Sequence, residues 1–297
     1  MTEGIAGIVL LDKPRGVTSF QALATVKSRL GTRRVGHAGT LDRFAEGLLV
    51  VLTGRATRLV PFATDMEKEY VATVAFGRQT DTLDPEGVVV AEGRVPAGAE
   101  VETVLPRFTG TIWQVPPAYS AVHVEGRRAY QAARRGEEIA LSPRLVMVRS
   151  LQLLRFDPPN AVLQVVCSKG TYVRSLARDI AQSLSTCGHV AGLRRVRIGA
   201  FRVESAVSPE DFDPAAHLFP PARFFDGAPG IHPVWLRDEW SIKAGQGLPV
   251  RDCFFEEAPR SDGTFAAFRR SGELVAVLEK RGGRYRYAAA FPPEGPA

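Results

Sequence analysis

Residues 34–54, RVGHAGTLDRFAEGLLVVLTG, set a single acid, Asp42, between a run of small residues and an apolar stretch. The apolar part, GLLVVLTG, is rich in branched residues and bounded by glycines, so it reads as a strand with Asp42 in the loop ahead of it. Aspartate is common in turns and at helix caps, but no helix follows here to need a cap. Further strand-like runs are GIVLL, YVATVAFG, GVVVAEG, LVMVRSLQLLRF and AVLQVVCSKG. Helical spacing appears in TSFQALATVKSRLG, where Thr18 or Ser19 caps, Leu23, Val26 and Leu30 share a face and Gly31 stops the helix. It recurs in AYQAARRGEE and in TYVRSLARDIAQSLSTCG, where Tyr172, Leu176, Ile180 and Leu184 form one stripe. Strands and helices mixed without a regular βαβ alternation predict an α+β fold with a largely antiparallel sheet. Residues 205–235 are rich in Pro, Asp and Phe and read as a connector with short helical pieces. Beyond them, short strands with a tight turn at Gly282-Gly283 predict a small β-rich unit.

With 297 residues, 45% of them hydrophobic and 24% charged, the chain can bury a sizeable core. Its net charge of +6 is concentrated. Between Lys169 and Arg202 stand seven cations, Lys169, Arg174, Arg178, Arg194, Arg195, Arg197 and Arg202, against one acid, Asp179. Such a face suits a phosphate backbone. Cys167, Cys187 and Cys253 are far apart with no C-x-x-C, which argues against a disulfide scaffold and a zinc knuckle. The start, MTEGIAGIVLLDKPRG, reads as a first strand rather than a signal peptide. No run approaches the roughly 20 apolar residues of a membrane span, so a cytoplasmic location is expected.

Lys169-Gly170-Thr171 follows a strand and opens a helix, a place where backbone amides and the helix dipole can hold an anion, although the P-loop spacing is absent. Arg174 falls in the first turn, where the dipole disfavours a cation, so a compensating carboxylate is expected. Arg178 reads as a structural ion pair. In PPAYSAVHVEGRRAYQAARRGEE, arginines interleaved with aromatics suit RNA; a solvated basic helix accounts for them equally well. Tyr70, opening a strand, reads on its own as core.

Taken in order, LDKPRGVTSF, GHAGTLD, EKEYVATVAFGRQTDTLDPEG, PPAYSAVHVEGRRAYQAARRG and CSKGTYVRSLARDI resemble the TruB family of tRNA pseudouridine synthases over roughly residues 8 to 202. The tail, with GQGLPV and GELVAVLEK, is similar to the small PUA-type RNA-binding domain. The resemblance implies a catalytic domain over 1–234 with a central mixed, mainly antiparallel sheet, a thumb-like insertion at about 113–149, and a PUA-like domain over 235–297. It implies isomerisation of uridine 55 in the TΨC loop of tRNA by base flipping. Asp42 matches the essential aspartate, nucleophile or base. Tyr70 matches the aromatic that stacks on the flipped base, Arg174 the arginine that pairs with the aspartate, His37 the histidine inserted into the RNA loop, and Leu193 an apolar wall of the base pocket. No cofactor, no metal and no membrane are implied; the partner is the T arm of tRNA and the protein a monomer.

The chain departs from the family pattern in places. Arg43 and Glu46 stand where proline and threonine are usual, His123 replaces a lysine, and Ala181 a glycine. A non-catalytic RNA-binding protein or tRNA-folding chaperone is the alternative. Hydrolysis of the base ranks last, because retaining glycosidases use two carboxylates about 5 Å apart and no second acid in these motifs fits.

Overall fold

The computed structural model describes residues 5–120, 123–124, 127–128, 141–226, 228 and 230–292. The stretch AYQAARRGEE, expected to be helical, and part of the thumb-like insertion lie outside these residues. Strands β1 (Gly7–Lys13), β2 (Val35–His37), β3 (Glu46–Thr53), β4 (Lys68–Phe76), β5 (Arg78–Thr80), β6 (Val89–Glu92) and β7 (Gly110–Gln114) come first. There follow β8 (His123–Val124), β9 (Arg127–Arg128), β10 (Arg144–Asp157), β11 (Asn160–Cys167), β12 (Gly188–Ile198) and β13 (Phe201–Arg202). The last four are β14 (Ile231–Trp235), β15 (Gly263–Phe268), β16 (Leu274–Arg281) and β17 (Arg284–Ala290).

The main sheet runs β1-β3-β12-β4-β11-β10-β7, with β2 on β3 and β13 on β12. Every pairing in it is antiparallel except β12 with β3, so the sheet is mixed and mainly antiparallel. GLLVVLTG forms the inner strand β3, buried from Gly47 to Thr53, which is why it is apolar on both faces. The parallel β12–β3 contact is tight: Gly47, at φ 104°, faces the backbone of Arg195, and a Cβ there would fall 2.3 Å from its carbonyl oxygen.

Helix α1 (Ser19–Arg29) is capped by Thr18 in a reciprocal box with Gln21, and buries Leu23 and Val26 with Leu30 against Val9, Leu49 and Val51. After α2 (Val60–Asp65) and α3 (Gly98–Val104), α4 (Val173–Ser183) lays Leu176, Ile180 and Leu184 into the core formed with Val74, Phe76, Leu163 and Val190. The connector carries the short α5 (Pro214–His217), bridges β1 at Ile8↔Phe219 and Leu11↔Val207, and leads to the second sheet. That sheet runs β14-β15-β16-β17, followed in sequence from β14 by α6 (Asp238–Gly245); Gly282 and Gly283, both at positive φ, turn β16 into β17 as the glycine pair predicts. The two sheets share a core in which Leu48, Val50 and Leu52 meet Ala266, Phe268 and Val277. Arg55 binds Glu273 and the Pro292 carbonyl across that junction.

β12 was not anticipated as a strand. GHVAGLRRVRI carries three arginines and two glycines, which lower strand propensity. It forms because it fills the slot between β3 and β4, and its cations find partners there.

Candidate active site

Antiparallel β4 and β12 pair Val74 with Val190, Ala72 with Leu193 and Tyr70 with Arg195. Paired residues share a face, so the core face of the sheet turns from aliphatic to polar along this ladder. Where it does so a cavity of about 460 Å³ opens. Its walls include Leu41 and Asp42 from the loop before β3, Lys68, Tyr70, Leu193 and Arg195 from the sheet, and Tyr172 and Arg174 from the start of α4.

Arg174 is buried and uses every arm of its guanidinium. Nε lies 3.0 Å from Asp42 Oδ2, and Nη1 donates to Asp84 Oδ2 at 3.1 Å and to the Thr82 carbonyl at 2.9 Å. Nη2 donates to the Tyr119 carbonyl at 2.9 Å. Two carboxylates therefore answer the dipole penalty of a cation in the first helical turn. Asp42 keeps 41% side-chain exposure, toward the cavity. Its Oδ1 has no protein donor among the described residues. Burial pushes its carboxyl above the ordinary range, and Asp84 adds to this; Arg174 and then Lys13 hold it back.

Asp84 is the second acid that sequence reasoning missed. Its Oδ1 accepts from the Thr82 hydroxyl and the Glu86 amide, and Thr80 Oγ1 donates to its carbonyl. Both carboxylate oxygens are thus engaged by protein donors, which makes Asp84 a support for Arg174. The available signal was TDTLDPEG itself, an acid ringed by threonines. Leu83 just before it has φ 62°, a conformation costing about 1–2 kcal/mol in a non-glycine residue, so the loop is held in an unusual shape.

Tyr70 and Leu193 face the cavity, each partly buried against the main core. Burial pushes the Tyr70 phenol up, while the nearby Arg195 charge opposes the rise. His37, on β2 opposite Val51, is not among the cavity-lining residues, and burial with the nearby Arg195 charge pulls its pKa down. Four of the five sequence candidates thus share one cavity; His37 stands apart from it.

The basic stretch from Lys169 to Arg202 is largely paired with acids, Arg174 and Arg178 as expected and the others in addition. Lys169 pairs with Asp65, Arg174 with Asp42 and Asp84, Arg178 with Asp179, Arg194 with Asp12 and Glu46, and Arg197 with Glu67 and Glu69. Asp179 is the neighbour already counted in the sequence, but the other acids come from distant strands and loops, where no local charge count could foresee them. The family departures are accommodated similarly. Arg43 Nε donates to the Gly16 carbonyl at 2.9 Å, and Glu46 joins the Arg194–Asp12 cluster.

Residues 27–173 match the TruB family pseudouridylate synthase (N terminal domain) model, and residues 174–220 the tRNA pseudouridylate synthase B C-terminal domain model. The chain is 38% identical to tRNA pseudouridine synthase B of Caulobacter vibrioides, covering 97% of both chains. It is 43% identical to that of Borreliella burgdorferi over 71% of this chain and 76% of the relative. Among solved structures, the fold resembles a chain in the crystal structure of a Cbf5-Nop10-Gar1 complex, with TM-score 0.74, 24% identity, and 97% of this chain and 85% of that one covered. An aspartate held by a buried arginine beside a cavity floored by tyrosine and leucine is here joined to sequence matches along most of the chain, and together they establish that the chain belongs to the TruB family of pseudouridylate synthases.

Proposed function

We infer that this chain isomerises uridine 55 in the TΨC loop of tRNA to pseudouridine. The observation that carries this reading is Asp42, with Oδ2 fixed by Arg174 and Oδ1 unengaged among the described residues, at the edge of a cavity that also presents Tyr70. Chemistry on a stacked base requires its extrusion, at a cost of a few kcal/mol, and Tyr70 offers the ring on which a flipped uracil stacks. Leu193 walls the same pocket, and His37 would reach the RNA loop from β2. Asp42 then acts at the sugar or the ring, as nucleophile or base, while the bond from C1′ to N1 breaks and one to C5 forms.

The same reading makes residues 1–234 the catalytic unit, with a thumb at about 113–149 that closes on the T arm. Residues 235–297 form a PUA-like RNA-binding unit, with β14 handing the chain from one to the other. The protein would work as a cytoplasmic monomer without metal or cofactor. No helix among the described residues is long and apolar enough to cross a membrane.

Incubation with unmodified tRNA, followed by carbodiimide–primer-extension mapping, tests the proposal. A new stop at position 55 is expected. No stop on any tRNA, with RNA binding intact, would favour the chaperone alternative, and release of free uracil would indicate hydrolysis.

A further inference from the structure

Among the described residues four cations line the cavity: Lys68, Lys169, Arg174 and Arg195. Two are neutralised, Arg174 by Asp42 and Asp84, and Lys169 by Asp65 at 2.7 Å. The other two are not. Lys68 is 5% exposed and Arg195 1%, and among the described residues neither has a carboxylate within ion-pair distance. Lys68 Nζ donates to the Thr64 and Met66 carbonyls. Arg195 donates to the Leu48 carbonyl at 2.8 Å and the Gly39 carbonyl at 3.1 Å, and stands opposite Tyr70 across the strand pair.

Burying a cation without a counter-ion costs several kcal/mol, and aliphatic side chains would hold these strands together without that cost. The charges nonetheless persist. Burial lowers the Lys68 ammonium only to about 8, which leaves it mostly protonated at neutral pH, and a guanidinium remains charged in proteins. Among the described residues the one acid lining the cavity, Asp42, is already engaged by Arg174. The wall beside Tyr70 is therefore positive and unanswered.

Uracil in uridine is neutral and gains little from such a wall. When the C1′–N1 bond breaks heterolytically, the electron pair stays on N1 and spreads onto O2 and O4, giving an anion. We propose that Lys68 and Arg195 form a preorganised site for the detached uracil anion, stabilising the ring after bond cleavage and while it turns. C5 then attacks C1′, the C5 proton leaves to a base, and N1 takes up a proton. Such a field acts on charge that develops only along the reaction, so it raises the rate more than the affinity for substrate. The inference rests on uridine isomerisation as the activity.

The test uses the full chain, a T-arm stem–loop and the variants Lys68→Gln, Arg195→Gln and Arg195→Lys. Single-turnover rates at saturating RNA should fall about 100-fold in the two glutamine variants, with RNA Kd changed by less than about threefold and partial recovery in Arg195→Lys. Wild-type enzyme should be inhibited at least about tenfold more tightly by 5-nitrouracil, an anion at neutral pH, than by neutral uracil, and Lys68→Gln should lose that preference. Rates near wild type, a defect confined to Kd, or no preference of wild type for the anionic ring would each overturn the proposal. If Arg195→Gln fails to fold, Lys68→Gln and the wild-type ring preference decide. Pseudouridine formation by wild type is read in the same assay, so failure of the enzymatic reading shows there separately.

Discussion

Arg174 Nε sits 3.0 Å from Asp42 Oδ2 while Nη1 of the same guanidinium sits 3.1 Å from Asp84 Oδ2. One cation thus links the solvent-facing carboxylate of the cavity to a buried one, and the two acids have unequal surroundings. Asp84 has donors on both oxygens, whereas Asp42 keeps one oxygen without a donor among the described residues. Unequal environments of this kind separate a reacting carboxylate from a supporting one.

Asp42→Asn preserves size and removes the negative charge. Pseudouridine formation should drop by at least about 10³-fold, the scale of losing a reacting group, while T-arm RNA still binds. Mapping by carbodiimide–primer extension reads the first effect and filter binding the second; conversion at the wild-type rate would rule out a chemical role for Asp42.

Asp84→Asn leaves the buried Arg174 with a single carboxylate partner. Removing one member of a buried ion pair costs about 3–5 kcal/mol, so urea midpoints should fall clearly. Activity should fall as well, because Arg174 loses one of the contacts that fix it. A variant as stable as wild type would show that the Arg174–Asp84 contact contributes nothing.

The acid limb of the rate–pH profile should lie above the ordinary carboxylate range, since burial and then Asp84 push Asp42 up. Activity requiring ionised Asp42 is lost as pH falls through that raised value. In Asp84→Asn the limb should move to lower pH, because a like charge is gone. An unmoved limb in that variant would separate the limb from Asp42.

Stability should rise between pH 8 and 9. Burial lowers Lys13 and Lys68 to about 8 each, so above that value the unfolded chain binds more protons than the native one. Each group then adds up to roughly 1.4 kcal/mol per pH unit. Cys167, pushed up to about 11 by burial, acts in the opposite sense once unfolded thiols ionise. Two lysines outweigh one thiol, and urea melts at pH 8 and 9 that show a net loss would contradict this balance.

Glu46→Thr, which restores the residue usual in the family, should change the melting temperature little. The Glu46–Arg194 contact is 3.5 Å long and partly exposed, and Arg194 keeps its bidentate hold on Asp12. Partly exposed pairs of this kind contribute about 0–1 kcal/mol, and calorimetry showing a large shift would mean that Glu46 anchors the loop.

Local physics made much of this protein legible. The apolar run after Asp42 reads as a strand, Thr18 or Ser19 marks the start of α1, and the Gly282-Gly283 pair a tight turn, and the fold has each of them. Arg174 in a first helical turn demanded an acid, and the ordered motifs named which one. What remained hidden depended on side chains distant in sequence. β12 looked too basic and too rich in glycine for a strand until Asp12, Glu46, Glu67 and Glu69 supplied its counter-charges. Asp84 became a partner of Arg174 only once Thr80, Thr82 and the Glu86 amide had folded it inward. Among the described residues Lys68 and Arg195 stand without a carboxylate partner only because the sheet buries them together beside Tyr70. Sequence by itself determined most of the elements and singled out Asp42 as the candidate aspartate, because propensity, capping and motif order are local. Tertiary structure decided which charges cancel and which remain, because ion pairing and desolvation depend on distances that only the folded chain sets.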